Sequence, residues 1–160
     1  MKKILLIAAL LGLMTSAQAA TTMARVTLKD TDGKTVETST LVGKHPVILS
    51  FWNTRCKPCI REIKAIQELY PDWQDETGVE LILVSEDTAH DAQRVKPTVD
   101  SYGWEFRCLL DPNGALKRAM NVSNEPHVFV FDRTGKVIYN HEGYTDGGEE
   151  ELIEIIKKHK

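Results

Sequence analysis

Two cysteines three positions apart, Cys56 and Cys59, stand where an apolar strand pattern gives way to a helical one. Val47, Ile48, Leu49, Phe51 and Trp52 read as a buried strand, and Ile60, Ile63, Ile66 and Leu69 then recur at helical spacing. Cys56 therefore falls at a helix N-terminus, where unpaired backbone N–H groups and the positive end of the helix dipole favour an anion. A thiolate is the anion that disulfide chemistry needs. Pro58 lies in the first turn of that helix, where a missing N–H costs nothing. Two cysteines this close can close a disulfide and open it again, so the site can exchange oxidising equivalents with another protein.

The N-terminus has a separate pattern. Met1-Lys2-Lys3 precedes an apolar run from Ile4 to Met14, and Ala17-Gln18-Ala19 follows Thr15-Ser16. That is the three-part form of a secretory signal peptide, with cleavage expected after Ala19. The apolar run falls short of the roughly 20 residues a membrane span needs, so a retained anchor is the weaker alternative. No cysteine precedes Cys56, which excludes a lipid-modified N-terminal cysteine. Residues 20–160 are enough for one domain with its own hydrophobic core. Taking the two leader lysines from the 20 basic residues leaves 18 against 23 acidic, a net charge of −5 with His neutral. That balance excludes a nucleic-acid binder, which would carry a basic face. Three cysteines are too few for a disulfide-stapled scaffold, and an odd count in an exported chain marks reactive or deliberately separated thiols.

Strand and helix patterns alternate along the rest. Arg25 to Lys29, the Asp32-Gly33 turn and a short strand near Val36 predict an N-terminal β-hairpin. The helix after Cys56 is expected to continue, bent, past Pro71 to about Thr77. Glu80 to Ser85 reads as a buried strand, with Asp87 as cap of a following helix that Pro97 should break or kink. Phe106 to Leu110 is a further core strand, closed by the Asp111-Pro112-Asn113-Gly114 turn. Ala115 to Met120 is a short helix. His127 to Phe131 and Lys136 to Tyr139 are strands around the Asp132–Gly135 turn. A last helix, from about Gly148 to His159, has Glu149, Glu150 and Glu151 at its start and Lys157, Lys158 and His159 at its end, matching the dipole. The fold class is α/β, a central mixed β-sheet flanked by helices on both faces.

The chain from about Val26 onward resembles the exported thioredoxin-like proteins of the TlpA/ResA type. The matching pieces begin with Leu28-Lys29-Asp30 through Asp32-Gly33-Lys34, Gly43-Lys44, Phe51-Trp52, Thr54 and Glu62. They continue with Ser101-Tyr102-Gly103, Leu110-Asp111-Pro112, Val122-Ser123 ahead of Pro126, Phe129 to Asp132, and Gly135-Lys136-Val137. The resemblance implies a thioredoxin-like fold and a cis peptide bond before Pro126, beside a Cys56–Cys59 disulfide. It also implies a groove for protein substrates, to which Trp52, Arg55, Lys57, Pro58, Glu125, Pro126 and His127 are assigned. Trans geometry at a strand start is the plainer alternative for Pro126.

Cys56 is expected to attack and Cys59, one turn in, to resolve the mixed disulfide. Arg55 and Lys57 flank Cys56 and would favour its thiolate by charge. A static structural disulfide is the rival, but so short a loop constrains little of the unfolded chain. A zinc half-site would need two more ligands. Glu62 stands three residues past Cys59 on the same helix, and the resemblance implies a buried carboxyl that moves protons for the cysteines. Its alternative is a solvated helix glutamate. Ser50 stands where thioredoxin proper carries an aspartate, which leaves Glu62 as the candidate proton carrier. Cys108, in an apolar strand, reads as core packing. His127 is open between substrate contact and ordinary strand placement. His45, His90, His141 and His159 show no metal-ligand spacing and read as surface residues. Arg55 and Glu125 depart from the family pattern of an aromatic residue before the first cysteine and a Thr, Val or Ala before the proline. They act oppositely on Cys56.

The function expected is an extracytoplasmic, periplasmic thiol–disulfide oxidoreductase that reduces protein disulfides, with roles in cytochrome c maturation or envelope redox homeostasis. Its partners would be disulfide-bonded or dithiol protein substrates and a membrane electron donor; it would be a monomer with no cofactor beyond the redox-active disulfide and no bound metal. An oxidase or isomerase is the alternative if Arg55 and Lys57 strongly stabilise the reduced form. A peroxidase fits poorly, because Thr54 is too close to Cys56 and no proline precedes it suitably. A copper-binding chaperone using Cys56, Cys59 and His127 would suit thiolate and imidazole ligands, though such proteins space their cysteines one residue wider.

Overall fold

A computed structural model of the chain describes residues 20–159. The leader segment 1–19 and its cleavage site lie outside the described residues.

Strand β3 (Val47–Trp52) is buried along its whole length, as a run of β-branched and aromatic residues at a sheet centre should be. It pairs in parallel with β4 (Glu80–Ser85), which pairs in parallel with β5 (Arg107–Leu110). On its other side β3 pairs antiparallel with β6 (His127–Phe131), which turns back into β7 (Val137–Glu142). The hairpin of β1 (Thr27–Asp30) and β2 (Thr35–Glu37) docks antiparallel on β5. The seven-stranded order is β2-β1-β5-β4-β3-β6-β7, so the sheet is mixed as its sequence pattern predicts.

Period-two alternation sends β3 side chains to opposite faces, and each face has its own core. Ile48, Trp52, Leu81, Leu83, Val128 and Val130 meet helix α1 (Lys57–Thr77), helix α2 (Val95–Ser101) and helix α4 (Glu149–Lys158). Val47, Leu49, Phe51, Phe129 and Phe131 meet helix α3 (Ala115–Ala119) together with Met23, Leu28 and Leu41. Helix α1 presents Cys59, Ile63, Ile66 and Trp73 inward at intervals of one or two helical turns and ends at Gly78, whose φ of 71° suits a glycine.

Two helical expectations are corrected. Pro97 does not break its helix. It is the third residue of α2, in the first turn, where the N–H it lacks has no intrahelical partner. Asp87 caps no helix either: four residues separate it from the 3-10 turn Ala92–Arg94 that leads into α2, and its carboxylate is spent on β4 and the loop before Cys56.

Candidate active site

Parallel β3 delivers the chain to the C-terminal end of the sheet, and four residues turn it into α1. The turn closes by Cys56 N–H donating to Asn53 O at 3.1 Å, and Asn53 Oδ1 accepts from Arg55 N–H at 3.0 Å. Thr54 is held from below. Its N–H and hydroxyl donate to Asp87 at 2.9 and 2.6 Å, and the Ser85 hydroxyl donates to the same carboxylate at 2.9 Å. Buried Asp87 thus ties this loop to the end of β4, a contact between positions 33 residues apart that has no local signature in sequence.

Cys56 is the N-cap of α1, partly exposed, with Sγ accepting the Cys59 N–H at 3.2 Å. Cys59 is fully buried one turn in, and the two are joined as a disulfide. No acidic residue lies in the first turn, so nothing there opposes a thiolate at Cys56. Arg55 and Lys57 are exposed, and the Arg55 guanidinium is drawn off to Asp91 by hydrogen bonds of 3.1 and 3.2 Å. Arg55 thus flanks Cys56 in sequence, but its guanidinium is paired at the surface with Asp91. Trp52 packs in the α1-side core with its ring edge-on to Trp104 at 5.2 Å. Pro58 sits in the first turn of α1.

Register places Phe51 opposite His127, so the Glu125–Pro126 step lies beside the end of β3, and that peptide bond is cis. Glu125 is not a free charge. Lys117 Nζ donates to Glu86 at 2.5 Å and to Glu125 at 3.0 Å, joining α3, the end of β4 and the segment before Pro126. Burial first, and then the neighbouring Glu125, raises the Glu86 carboxyl to about 8, while the hydrogen bond from Glu86 lowers that of Glu125. The expectation that Glu125 simply opposes a Cys56 thiolate is therefore corrected: its charge is matched by Lys117.

His127 turns to the far face of the sheet. It is buried and stacked on Phe129 at 4.6 Å, with Glu142 3.9 Å from Nδ1, and burial lowers its pKa. It does not join the cysteines on the α1 side. Cys108 is buried and free, and burial pushes its thiol up to about 12.

Glu62 is fully buried on α1, one turn beyond Cys59. Its Oε1 is 2.8 Å from His141 Nε2, and its Oε2 has no hydrogen-bond partner among the described residues. Desolvation raises the Glu62 carboxyl, opposed by the hydrogen bond and charge of His141. The surface reading of His141 is thus corrected. On β7 its side chain is opposite Val128 and faces α1. Only the pairing of β6 with β7 reveals this, because Glu62 and His141 are 79 residues apart.

Among the described residues no group of three or more His, Cys, Asp or Glu side chains is arranged to hold a metal ion. No helix there is long and apolar enough to cross a membrane. A depression of about 790 Å³, lined by Tyr70, Gly78, Glu80 and Arg107 among others, lies at the start of β4, the opposite end from the cysteines.

Residues 19–140 match the family model described as AhpC/TSA family. Over 129 residues the chain is 37% identical to the thiol-disulfide oxidoreductase ResA of Bacillus thuringiensis subsp. konkukian, covering 81% of this chain and 71% of that one. It is 33% identical to the ResA of Halalkalibacterium halodurans over 132 residues, 81% of this chain and 72% of that one. The structure is similar to that of an uncharacterized thioredoxin-like protein from Porphyromonas gingivalis, with TM-score 0.76 and 56% identity over 88% of this chain and 93% of that one. A putative thiol:disulfide interchange protein DsbE from Chlorobium tepidum shares the fold at TM-score 0.76 and 24% identity, over 89% and 98% of the two chains. With a dithiol pair capping α1 on this sheet, the chain belongs to the TlpA/ResA family of thioredoxin-like thiol–disulfide oxidoreductases.

Proposed function

We propose that the Cys56–Cys59 couple reduces disulfides in other proteins outside the cytoplasm. The observation that carries this reading is the asymmetry of the pair, with Cys56 reachable at the N-cap of α1 and Cys59 sealed in the core beside Glu62. In the reduced protein the Cys56 thiolate attacks one sulfur of a substrate disulfide. The substrate bond breaks, its second sulfur leaves as a thiolate that takes a proton, and a mixed disulfide remains. Cys59 then loses its proton to the Glu62 carboxylate and attacks Cys56 Sγ. That step closes the internal disulfide and expels the reduced substrate. Two electrons and two protons pass to the substrate in each cycle.

Burial suits Glu62 to this task, because a carboxyl whose pKa is raised by desolvation holds a proton more readily and can both take and give one. The Glu125–Pro126 segment is where an extended substrate strand would lie by backbone pairing. Arg55, Lys57 and Pro58 would form the other side of that groove, with Trp52, fully buried and so not a groove contact, beneath them. The leader pattern of residues 1–19 supports export. A dithiol spent outside the cytoplasm needs replenishing, so a membrane electron donor and a monomer with no further cofactor complete the reading. Cytochrome c maturation and repair of oxidised envelope proteins are the two tasks it fits.

Redox titration of the Cys108→Ala protein tests the direction of flow. A potential near or below about −270 mV marks a reductant, and one near about −120 mV marks an oxidant and overturns the proposal. The surface pairing of Arg55 with Asp91 weakens its share of the charge argument for an oxidase and leaves that of Lys57 in place.

A further inference from the structure

A carboxyl that takes the Cys59 proton must pass it on before the next cycle, and Glu62 has no exposed surface through which to do so. Its polar contact is the His141 ring, at 2.8 Å through Nε2. His141 lies at the boundary. Its side chain is one-fifth exposed, and it lines an open depression of about 390 Å³ with Tyr139, Glu142, Tyr144, Thr145 and Glu151. Its other nitrogen, Nδ1, has no hydrogen-bond partner among the described residues. A buried ring nitrogen without a partner costs free energy and calls for a reason.

We propose that His141 is the proton relay of this site, carrying protons between the buried Glu62 carboxyl and solvent in the depression beside β7. The proposal rests on the assignment of Glu62 as the acid–base group for Cys59. Before the oxidising half-cycle Glu62 holds a proton that its Oε1–H shares with Nε2. That proton moves to Nε2 across the existing hydrogen bond, and the imidazolium releases one from buried Nδ1 to a water entering from the depression. The carboxylate left behind, held by Nε2–H, takes the Cys59 S–H proton on its unpartnered Oε2. The reverse sequence supplies the proton when the disulfide is reduced. Neutral acid with neutral imidazole, and carboxylate with imidazolium, are two states of one hydrogen bond that differ only in where the proton sits. The relay thus needs no rearrangement of Glu62.

The ionisable groups around the pair leave it free to act. Glu62 faces Cys59 on its own helix, His141 and Tyr139 on β7, and Glu149 at the start of α4. His141 acts on His127, on the other face of β6, by charge alone, and has Glu142, Tyr144 and Glu151 around the depression. Tyr139 and Tyr144 are each raised to about 12, by burial and by hydrogen bonds to Glu151 and Glu149, and stay protonated through the working range.

The test is a single-turnover reaction of the fully reduced Cys108→Ala protein with Ellman's reagent, followed by release of the coloured thiolate. The first phase reports attack by Cys56 and the second reports attack by Cys59 on the resulting mixed disulfide. His141→Gln and His141→Asn keep an amide N–H for Glu62 but cannot relay a proton. They should leave the first phase within about twofold and slow the second about a hundredfold or more, the low end of what proton transfer contributes to a rate. Added imidazole should recover the second phase, and its pH profile should lose one inflection. A second phase at the wild-type rate from pH 5 to 9 in both variants overturns the relay, as does loss of the first phase in both, which would make the ring structural. Glu62→Gln separates the two layers. If it leaves the second phase unchanged, the assignment of Glu62 fails. If it slows that phase while the His141 variants do not, the relay alone fails.

Discussion

A carboxyl as enclosed as that of Glu86, 4% exposed and sharing Lys117 with Glu125, behaves differently in the folded and unfolded chain. Unfolded, it titrates near the ordinary value of 4.5; folded, it is raised to about 8, by burial first and by Glu125 second. The folded state therefore binds this proton more tightly, and stability falls as pH rises through the window from about 4.5 to 8. Glu86→Gln removes the ionisation and should flatten that decline. Thermal unfolding midpoints of the two proteins should diverge from pH 5 to pH 9 in favour of the variant, and parallel curves would sink the argument. Cys108 permits a simpler check. With its thiol raised to about 12 in the core, the native oxidised protein should show no titratable thiol at pH 8, and one after denaturation.

At the scale of elements, the junction of β3 and α1 depends on a side chain outside both. Asp87 accepts three hydrogen bonds from Thr54 and Ser85, and Ser85 is itself buried. Asp87→Ala should cost about 2 kcal/mol or more, since hydrogen bonds to a charged group go and buried donors are left unpaired. Urea unfolding measures it, and the cost should be smaller for Asp87→Asn. The C-terminal end of α1 is a cheaper place to intervene. Gly78 holds φ of 71° with open space around its missing Cβ, so Gly78→Ala should cost on the order of 1 kcal/mol from backbone strain alone. A change within a few tenths of zero would show that the cap relaxes.

Across the whole molecule, the sheet separates two cores that meet only through its backbone. Ile63 belongs to the α1 side and Met120 to the α3 side. Truncating either to Ala should cost roughly 2–5 kcal/mol. With a sheet between them the two losses should add within about 0.5 kcal/mol. A larger coupling in denaturant unfolding would mean that the layers are not independent. The chemistry sits at one edge of this division: Cys59, Glu62 and Trp52 are on the α1 side, while His127 is stacked into the other.

What the sequence determined by itself was the framework. Apolar runs of strand length, helical spacing after Cys56, and turn residues at Asp32-Gly33 and Asp111 to Gly114 are local signals. Local backbone preference and burial periodicity are properties of neighbouring residues, so they survive without the fold. The Cys56–Cys59 pair was legible for the same reason, its three-residue spacing being one helical turn. The tertiary structure decided the polar partners. Glu62 with His141, Thr54 with Asp87, and Glu86 with Lys117 and Glu125 are brought together by strand pairing across 31 to 79 residues, except for the closer Lys117 and Glu125. A side chain's alternation phase places it on one face, but which partner it meets there depends on sheet order and register. Asp87 reads as a helix cap and His141 as a surface residue until β4 and β7 are set in place. Whether a charged side chain stays charged is settled only by the groups that close over it, and the chain lists those far apart.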